Sequence, residues 1–473
     1  MEKILHISIA VFAVLGASLI VGHNAMPSEN LMPGEVDVWG SEEEGFDGGG
    51  GDDGEWCEHS MWRSQGISGR VPVSVDSFGA VGDGVTNDTQ AFIDAWGKAC
   101  STKNAVFLVP EGGRYLVKAV KFNGPCADNL IIQISGTIIA PAEPKDWDPK
   151  LPRLWLTFSK LKGVKIQGGG IIDGSGSKWW ASSCKVNKTN ALTIDKSSAL
   201  WIQDLTFQNA QQMHFTISHS DSIRVYDVQV TSPGNSPNTD GIHITASTDI
   251  VLQNCTIGTG DDCVSIVSGS SNIKMKNIVC GPGHGISIGS LGQGNSMGTV
   301  IGVVLDTATL TGTTNGLRIK TWQGGSGVVR SVRYDNVKMY NVSNPIIIDQ
   351  FYCDSPKTCQ NQTSAVKISQ VMYRNIVGTS KTPQAIKFAC SNTVPCSNII
   401  LNNVNLQLEN GNTPDTFCNC ATGSDYGFVQ PSVDCLHSES NSRCQAAQND
   451  DEKETEDLAK QEEERGYSAH TEL

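Results

Sequence analysis

Three evenly spaced phrases carry ionisable side chains that could do chemistry. Asp240-Gly-Ile-His-Ile, Asp262-Cys-Val-Ser-Ile and His284-Gly-Ile-Ser-Ile begin 22 residues apart, and Asp261 adds a third carboxylate beside Asp262. Carboxylates that lie close together repel one another, which raises at least one pKa and keeps a proton bound near neutral pH. A protonated acid beside ionised carboxylates is what hydrolysis of a glycosidic bond requires.

A fourth phrase of the same kind carries two cations. It reads Asn315-Gly-Leu-Arg-Ile-Lys320 and begins 31 residues after His284. Arg318 and Lys320 alternate with apolar residues, so both side chains should leave the core on the same face. We expect them to hold a substrate carboxylate one coil beyond His284.

A repeated eight-residue phrase predicts the scaffold that positions these residues. Its pattern is apolar, any, apolar, any, Asp or Asn, apolar, any, apolar, and its strong copies start 23, 27 and 23 residues apart. The copies begin at or near Leu200, Ile223, Ile250, Ile273, Val303, Val332, Val371 and Ile399. This period, with strand-like alternation and no amphipathic helix, indicates a β-solenoid. Because β-branched residues dominate and the consensus of leucine-rich repeats is absent, we predict an all-β, single-stranded, right-handed parallel β-helix.

The fifth position of the phrase holds an aspartate or an asparagine. We expect these side chains to stack at one turn of successive coils, as an internal ladder that caps backbone groups. The column contains Asp204, Asp227, Asn254, Asn277, Asn336 and Asn403. We interpret it as structural rather than catalytic.

The β-helix would bring the ionisable phrases together. Neighbouring strands lie ~4.8 Å apart, so Asp240 and Asp262 should lie side by side in adjacent coils, with His284 one coil further on. Strict alternation would turn both aspartates inward. We expect the turn before them, which is rich in Gly, Pro and Asn, to rotate them outward.

Four motifs make the chain similar to a known family. In the same order, they resemble the motifs of the polygalacturonases of glycoside hydrolase family 28: Asn238-Thr-Asp240, Gly260-Asp-Asp-Cys263, Gly281-Pro-Gly-His284-Gly and Arg318-Ile-Lys320. Tyr352 matches a further tyrosine that contacts substrate in that family. Residues 75–96 are similar to the start of the β-helix in plant members, and the resemblance covers about residues 70–445.

The resemblance implies a glycosidase that cleaves the α-1,4 linkages of homogalacturonan, a polyanionic pectic polysaccharide. It implies that Asp261 is the general acid and that Asp240 and Asp262 activate the attacking water. His284 would tune the ionisation of the cluster. The residues expected to bind sugar are Asn238, Arg318, Lys320 and Tyr352. We expect no metal, no cofactor, no nucleic-acid partner and a monomeric protein.

The spacing of the carboxylates predicts the stereochemical course. Asp240 and Asp261 should be one coil apart, ~4.8 Å, and offset by one strand position, ~3.3 Å. Their carboxyl groups should thus be further apart than the ~5 Å of a retaining enzyme and fit the ~6.5 to 9.5 Å that leaves room for a water. The sequence therefore predicts single-displacement, inverting hydrolysis.

Other functions remain compatible with the sequence. A pectate lyase shares the solenoid and the substrate but uses calcium and a basic residue for β-elimination, and clustered aspartates could hold calcium. Hydrolysis of a branched pectin such as rhamnogalacturonan and a non-catalytic wall-binding solenoid are further alternatives. The sequence leaves endo or exo attack and the tolerance for esterified pectin open.

The segments outside the repeats differ from them in composition. Residues 1–25 hold a long apolar run behind Lys3 and predict a signal peptide, with a signal anchor as the alternative. We therefore expect a secreted protein of the extracellular space or cell wall, with no membrane attachment after cleavage. Residues 26–66 are Gly-rich and acidic and should be disordered, and residues 449–473 form an acidic tail. The remaining catalytic β-helix, residues 67–448, is close to neutral although the whole chain has a net charge of −14.

Fifteen cysteines behind a signal peptide indicate an oxidising compartment, and their odd number leaves at least one free. The expected pairs are Cys263–Cys280, Cys353–Cys359, Cys390–Cys396 and Cys100–Cys126. The last four cysteines, whose order of pairing stays open, are Cys418, Cys420, Cys435 and Cys444. Cys255 lies in the repeated phrase and should be a free buried thiol. Cys57 and Cys184 are left unassigned.

Overall fold

The computed structural model describes residues 69–147, 154–181, 190–355, 357–437 and 444. Strands in this part of the chain pair in parallel and form one sheet of 20 strands and a second of 11 strands. The chain therefore folds as the predicted parallel β-helix. The predicted signal peptide, acidic extension and acidic tail lie outside the described residues. No helix among the described residues has the length and apolar composition to cross a membrane.

The strands are numbered in chain order. The larger sheet contains β1 (Val71–Ser74), β2 (Asp83–Asn87), β3 (Ala105–Val109), β4 (Arg114–Leu116), β6 (Ile131–Ile134), β7 (Thr137–Ile139), β9 (Lys165–Gln167), β10 (Ile171–Asp173), β12 (Ser198–Gln203), β13 (Thr206–Gln208), β15 (Asp221–Tyr226), β16 (Gln229–Thr231), β18 (Thr248–Gln253), β19 (Thr256–Gly258), β21 (Ser270–Cys280), β23 (Met297–Thr311), β25 (Ser326–Val342), β27 (Lys367–Ser380), β29 (Cys396–Leu408) and β31 (Ala421–Gln430). The smaller sheet contains β5 (Val120–Asn123), β8 (Leu154–Ser159), β11 (Asn190–Asp195), β14 (Phe215–Ser218), β17 (Ile242–Thr245), β20 (Val264–Ile266), β22 (Ile286–Leu291), β24 (Asn315–Trp322), β26 (Asn344–Tyr352), β28 (Gln384–Ala389) and β30 (Asp415–Asn419). The helices are α1 (Thr89–Cys100) and α2 (Ser177–Trp180), with 3₁₀ turns at Val75–Phe78, Pro144–Asp146, Gln293–Asn295 and Asp434–Leu436.

In the central coils, the residue at the fifth position of the phrase takes the left-handed conformation and bends the larger sheet. Asp204 lies between β12 and β13 with a φ of 51°, and Asn277 bends β21 with a φ of 54°. Asp and Asn tolerate this conformation better than most residues, which explains the fifth position of the phrase. The side chains stack as predicted, since Asn254 donates to Asp227 at 3.2 Å and Asn277 donates to Asn254 at 3.1 Å. However, Asn254 and Asn277 are exposed, so the prediction of an internal ladder is wrong: these residues form the outer corner of the coil.

Alternating apolar side chains fill the interior of the β-helix. Ile223 and Ile250 are in register in adjacent coils and are fully buried. Helix α1 packs at the N-terminal end, where the rings of Phe92 and Trp96 contact Phe107 of β3 edge-on, with centroids 6.0 and 5.7 Å apart. A solenoid requires such a cap because its terminal coil would otherwise expose the core.

The disulfides agree with the expected pairs. The four predicted bonds form, and the last four cysteines pair as Cys418–Cys435 and Cys420–Cys444. Cys255 is free and buried, as predicted. Cys57 and Cys184 lie outside the described residues.

Candidate active site

The turns before neighbouring strands of the smaller sheet bring the ionisable phrases into one cavity of about 400 Å³. Asp240, Asp262 and His284 each stand two residues before a strand, namely β17, β20 and β22, and these strands pair in register. Because these residues precede the strands, the alternation of the strands does not turn them into the core. All eight predicted site residues line the cavity: Asn238, Asp240, Asp261, Asp262, His284, Arg318, Lys320 and Tyr352.

Both carboxylate oxygens of Asp262 contact cations. Arg318 Nη2 donates to Oδ1 and Lys320 Nζ donates to Oδ2, each at 2.8 Å, and Ser287 Oγ donates to Oδ1 at 2.8 Å. The two cations leave the core on one face, as predicted, but the sequence pattern does not predict that they pair with an aspartate of the cluster. Asp262 is 1% exposed, and these charge-assisted bonds offset the cost of burying its charge.

Asp240 has a different environment. Its Oδ2 accepts a hydrogen bond from Ser265 Oγ at 2.7 Å, and among the described residues no cation forms an ion pair with it. Burial, followed by the charges of Asp261 and Asp262, raises the pKa of Asp240 well above its ordinary value, and the bond from Ser265 offsets only part of this. Asp240 is therefore the carboxyl group of the cluster whose pKa is displaced upward.

Asp261 is shifted in the opposite direction. Its Oδ1 accepts from the backbone N–H of Asp262 at 2.8 Å and lies 2.9 Å from His284 Nδ1, while Asn238 Nδ2 donates to Oδ2 at 3.3 Å. Burial by itself raises the pKa of Asp261, but the hydrogen bond and the charge of His284 contribute to an overall lowering below the usual value. The pKa values of Asp240 and Asp261 are thus displaced in opposite directions, which is a pattern found in acid–base pairs.

Two serines that the sequence analysis missed connect the cluster to the residues beside it. Ser265 Oγ donates to Asp240 Oδ2 at 2.7 Å and lies 2.7 Å from His243 Nδ1. Ser287 Oγ accepts from Arg318 Nε at 3.0 Å. Burial lowers the pKa of His243 to about 4, so the chain of contacts from His243 through Ser265 to Asp240 begins at a neutral group. The chain through Ser287 begins at the cation Arg318 instead. The register of β17, β20, β22 and β24 places these four residues in one row, which is the signal that could have found them.

Tyr352, at the end of β26, supplies an aromatic wall. Its ring centroid lies 5.5 Å from Lys320 Nζ, within the range of a cation–π contact, and the ring of Trp322 packs edge-on against it at 5.4 Å. Burial raises the pKa of Tyr352 to about 12, so its hydroxyl stays protonated. Tyr352 can therefore donate a hydrogen bond to a ligand in the cavity.

Close backbone contacts fix the turns that carry the aspartates. A side chain at Gly260 would place its Cβ 1.8 Å from the carbonyl oxygen of Ser236, so glycine is required just before Asp261. His214 is fully buried, and both its backbone N–H and its Nδ1–H donate to the carbonyl of Asp240 at 2.9 Å. Close packing and these hydrogen bonds thus hold the turns of the cluster in place.

The surroundings of the cluster do not suit a divalent cation. Ligand atoms of Asp261, Asp262 and His284 lie within 4.8 Å of one another, which is close enough to consider a metal ion. Such an ion would face Arg318 and Lys320, which already contact both oxygens of Asp262. Calcium sites instead present several uncompensated oxygens. Calcium-dependent β-elimination therefore finds no support in these contacts.

The chain is similar to known proteins in sequence and in fold. Residues 100–425 match the family described as glycosyl hydrolases family 28. The chain is 48% identical over 366 residues to a probable polygalacturonase of Arabidopsis thaliana, covering 76% of this chain and 82% of the relative. It is 47% identical over 353 residues to a polygalacturonase of Persea americana, covering 73% and 76%. Among solved structures, a polygalacturonase from Erwinia carotovora has the same fold, with a TM-score of 0.62 and 23% identity over 76% of this chain and 97% of that one.

Proposed function

The chain belongs to glycosyl hydrolases family 28 and hydrolyses pectic polygalacturonan, and we propose that it does so by a single inverting displacement. The observation that carries this mechanism is the placement of three carboxyl groups, those of Asp240, Asp261 and Asp262, in one cavity on adjacent coils. Such a cluster holds one proton for the leaving oxygen and keeps carboxylates for the attacking water.

Asp261 is assigned as the general acid. Its side chain is 16% exposed, against 2% for Asp262, so a glycosidic oxygen can reach it. In the unliganded cavity the proton resides on Asp240. A sugar that covers Asp261 removes it from solvent and adds a carboxylate nearby, and both effects raise the pKa of Asp261. The proton then passes to Asp261, and Asp240 becomes free to accept a proton from water.

Asp262 is proposed to position the attacking water. Arg318 and Lys320 hold both of its oxygens, which stabilises the carboxylate. Asp240 lies one coil away at the same height, so a water between the two can donate to both. Arg318 and Lys320 also face the cavity, where their charge attracts the carboxylate of a galacturonosyl unit.

Hydrolysis should invert the anomeric centre. Asp240 and Asp261 start one coil apart and one residue out of register, which gives an acid and a base with room for a water between them. An α-linked galacturonan should therefore first release β-configured reducing ends, which proton NMR of the earliest products detects before mutarotation. Initial accumulation of the α anomer would show that an aspartate forms a covalent intermediate instead.

Ser265→Ala should lower kcat about tenfold and move the alkaline limb of the kcat/KM profile to higher pH. The proton that catalysis needs is bound below the raised pKa of Asp240 and is lost as the pH rises through it. Ser265 donates to Asp240 and lowers that pKa, so its removal raises the limb. The profile is measured by release of reducing ends from polygalacturonate. Ser270→Ala, a buried serine of the larger sheet, should leave the limb in place. If the alkaline limb of the kcat/KM profile of Ser265→Ala stays in place or moves to lower pH, Ser265 does not lower the pKa of Asp240.

The enzyme is proposed to act as a secreted monomer on the cell wall. The apolar N-terminal segment, the six disulfides among the described cysteines and the pectic substrate support this location. Its polyanionic partner is pectin, and no membrane or nucleic-acid partner is needed for the reaction. Recovery of the full-length product in the cell pellet rather than the medium of a secreting host would argue against secretion.

A further inference from the structure

A second cavity, of about 390 Å³, lies beside the first on the smaller sheet. It shares Met213 and His243 with the cavity of the aspartates. Three threonines at one strand position, Thr157 in β8, Thr193 in β11 and Thr216 in β14, line it, and we call them the threonine row. The row continues in register through His243 and the two serines to Arg318, so both cavities lie along one line across the sheet.

The threonine row presents unused hydrogen-bonding groups. The hydroxyl oxygens of Thr157 and Thr193 are buried and have no hydrogen-bond partner within the described part of the chain. These two residues are 2% and 5% exposed. A buried hydroxyl without a partner costs free energy, and native structures rarely leave one. Ring hydroxyls of a sugar in this cavity could supply the missing partners.

The charge of this cavity differs from that of the first. Among its lining residues Lys121 is the single lysine or arginine and Asp195 the single acid, while His243 is uncharged at neutral pH because burial lowers its pKa to about 4. Lys121 stands at the far end of the row, four strands or ~19 Å from His243. Asp195 repels a carboxylate held between them, whereas Leu154 and Met213 offer apolar surface to a methyl group.

From this contrast we propose that the threonine row binds a galacturonosyl unit whose carboxyl group is methyl-esterified, while a free-acid unit occupies the cavity of Arg318 and Lys320. This inference rests on the proposed function, since the same cleft must bind pectin. Thr193 lies three strands from β20, ~14 Å, which is about two to three sugar units from the cut. The methyl-esterified unit is therefore expected on one side of the cleaved glycosidic bond only.

Digestion of partially methyl-esterified polygalacturonate tests this placement directly. Mass spectrometry of the products should find esters about two to three units from the new end on one side of the cut, and free acids in the unit that faces Arg318 and Lys320. Exclusion of esters from both sides, or random placement, would overturn the proposal. Failure to cleave either the plain or the esterified polymer would instead refute the proposed function.

The variant Asp195→Asn provides a second, independent test of the proposal, because it removes the negative charge of this cavity with little change of shape. We expect kcat/KM for unesterified polygalacturonate to rise about two- to fivefold and kcat/KM for the esterified polymer to stay unchanged. Asp306→Asn, on β23 of the larger sheet, is the matched control and should change neither value. An equal effect of Asp195→Asn on both polymers, or no effect on either, would contradict the assignment.

Discussion

Asp261→Asn should lower the turnover of polygalacturonate by about 10²- to 10⁴-fold while the protein stays folded. Asparagine fills the same volume and can still accept from His284 Nδ1 and from the backbone N–H of Asp262. It cannot deliver a carboxylic proton to the leaving oxygen. Release of reducing ends measures turnover, and thermal unfolding followed by circular dichroism verifies the fold.

The matched control is Asp354→Asn, which removes a carboxylate from the same cavity but outside the cluster. Its turnover should stay within a few-fold of the unmodified enzyme. Near-normal turnover in a folded Asp261→Asn protein would refute the assignment of the general acid. Equal losses in both variants would mean that the charge of the whole cavity, rather than one proton, limits the reaction.

Asp262→Asn should abolish turnover and also lower the free energy of unfolding by about 3 to 5 kcal/mol. The aspartate is the counter-ion of two cations whose side chains are only 13% and 9% exposed, Arg318 and Lys320. Removing its charge leaves both desolvated cations without their carboxylate partner. Chemical denaturation gives the free energy of unfolding, because the midpoint and slope of the transition are both measured.

A double variant separates the two effects of this aspartate. Asp262→Asn combined with Lys320→Met removes one stranded cation, so stability should recover in part while turnover stays lost. Stability of Asp262→Asn equal to that of the unmodified protein would show that the three groups are not coupled. Recovery of turnover in the double variant would show that Asp262 acts only through folding.

The sequence predicted what depends on periodicity. The phrases that begin at Asp240, Asp262 and His284 set the register of the coils, and the apolar residues that follow them are buried, so the sequence alone locates the cluster. The distance over which a long side chain extends does not follow from the repeat. Arg318 is in register with Ser287, yet its guanidinium extends past that neighbour to an aspartate two coils away, and spacing contains no sign of this.

The asparagine ladder shows a second limit. The repeat of Asp or Asn at the fifth position predicted a stack, but whether the stack lies inside or outside depends on the backbone conformation of that residue. Asn277 takes a left-handed φ of 54°, which makes it a corner of the coil. The alternation of neighbouring apolar residues predicts strands on both sides of it and gives no information on the bend between them.

The parallel stacking of the coils has a mechanical consequence. Hydrogen bonds between neighbouring strands run along the axis of the β-helix, and each coil contacts mainly the coils next to it. None of the disulfides described joins cysteines more than 26 residues apart in the chain, so none ties distant coils together. A pulling force applied between the two ends would therefore separate the weakest neighbouring pair of coils first. The rupture force would reflect the weakest neighbouring pair and would not increase with the number of coils.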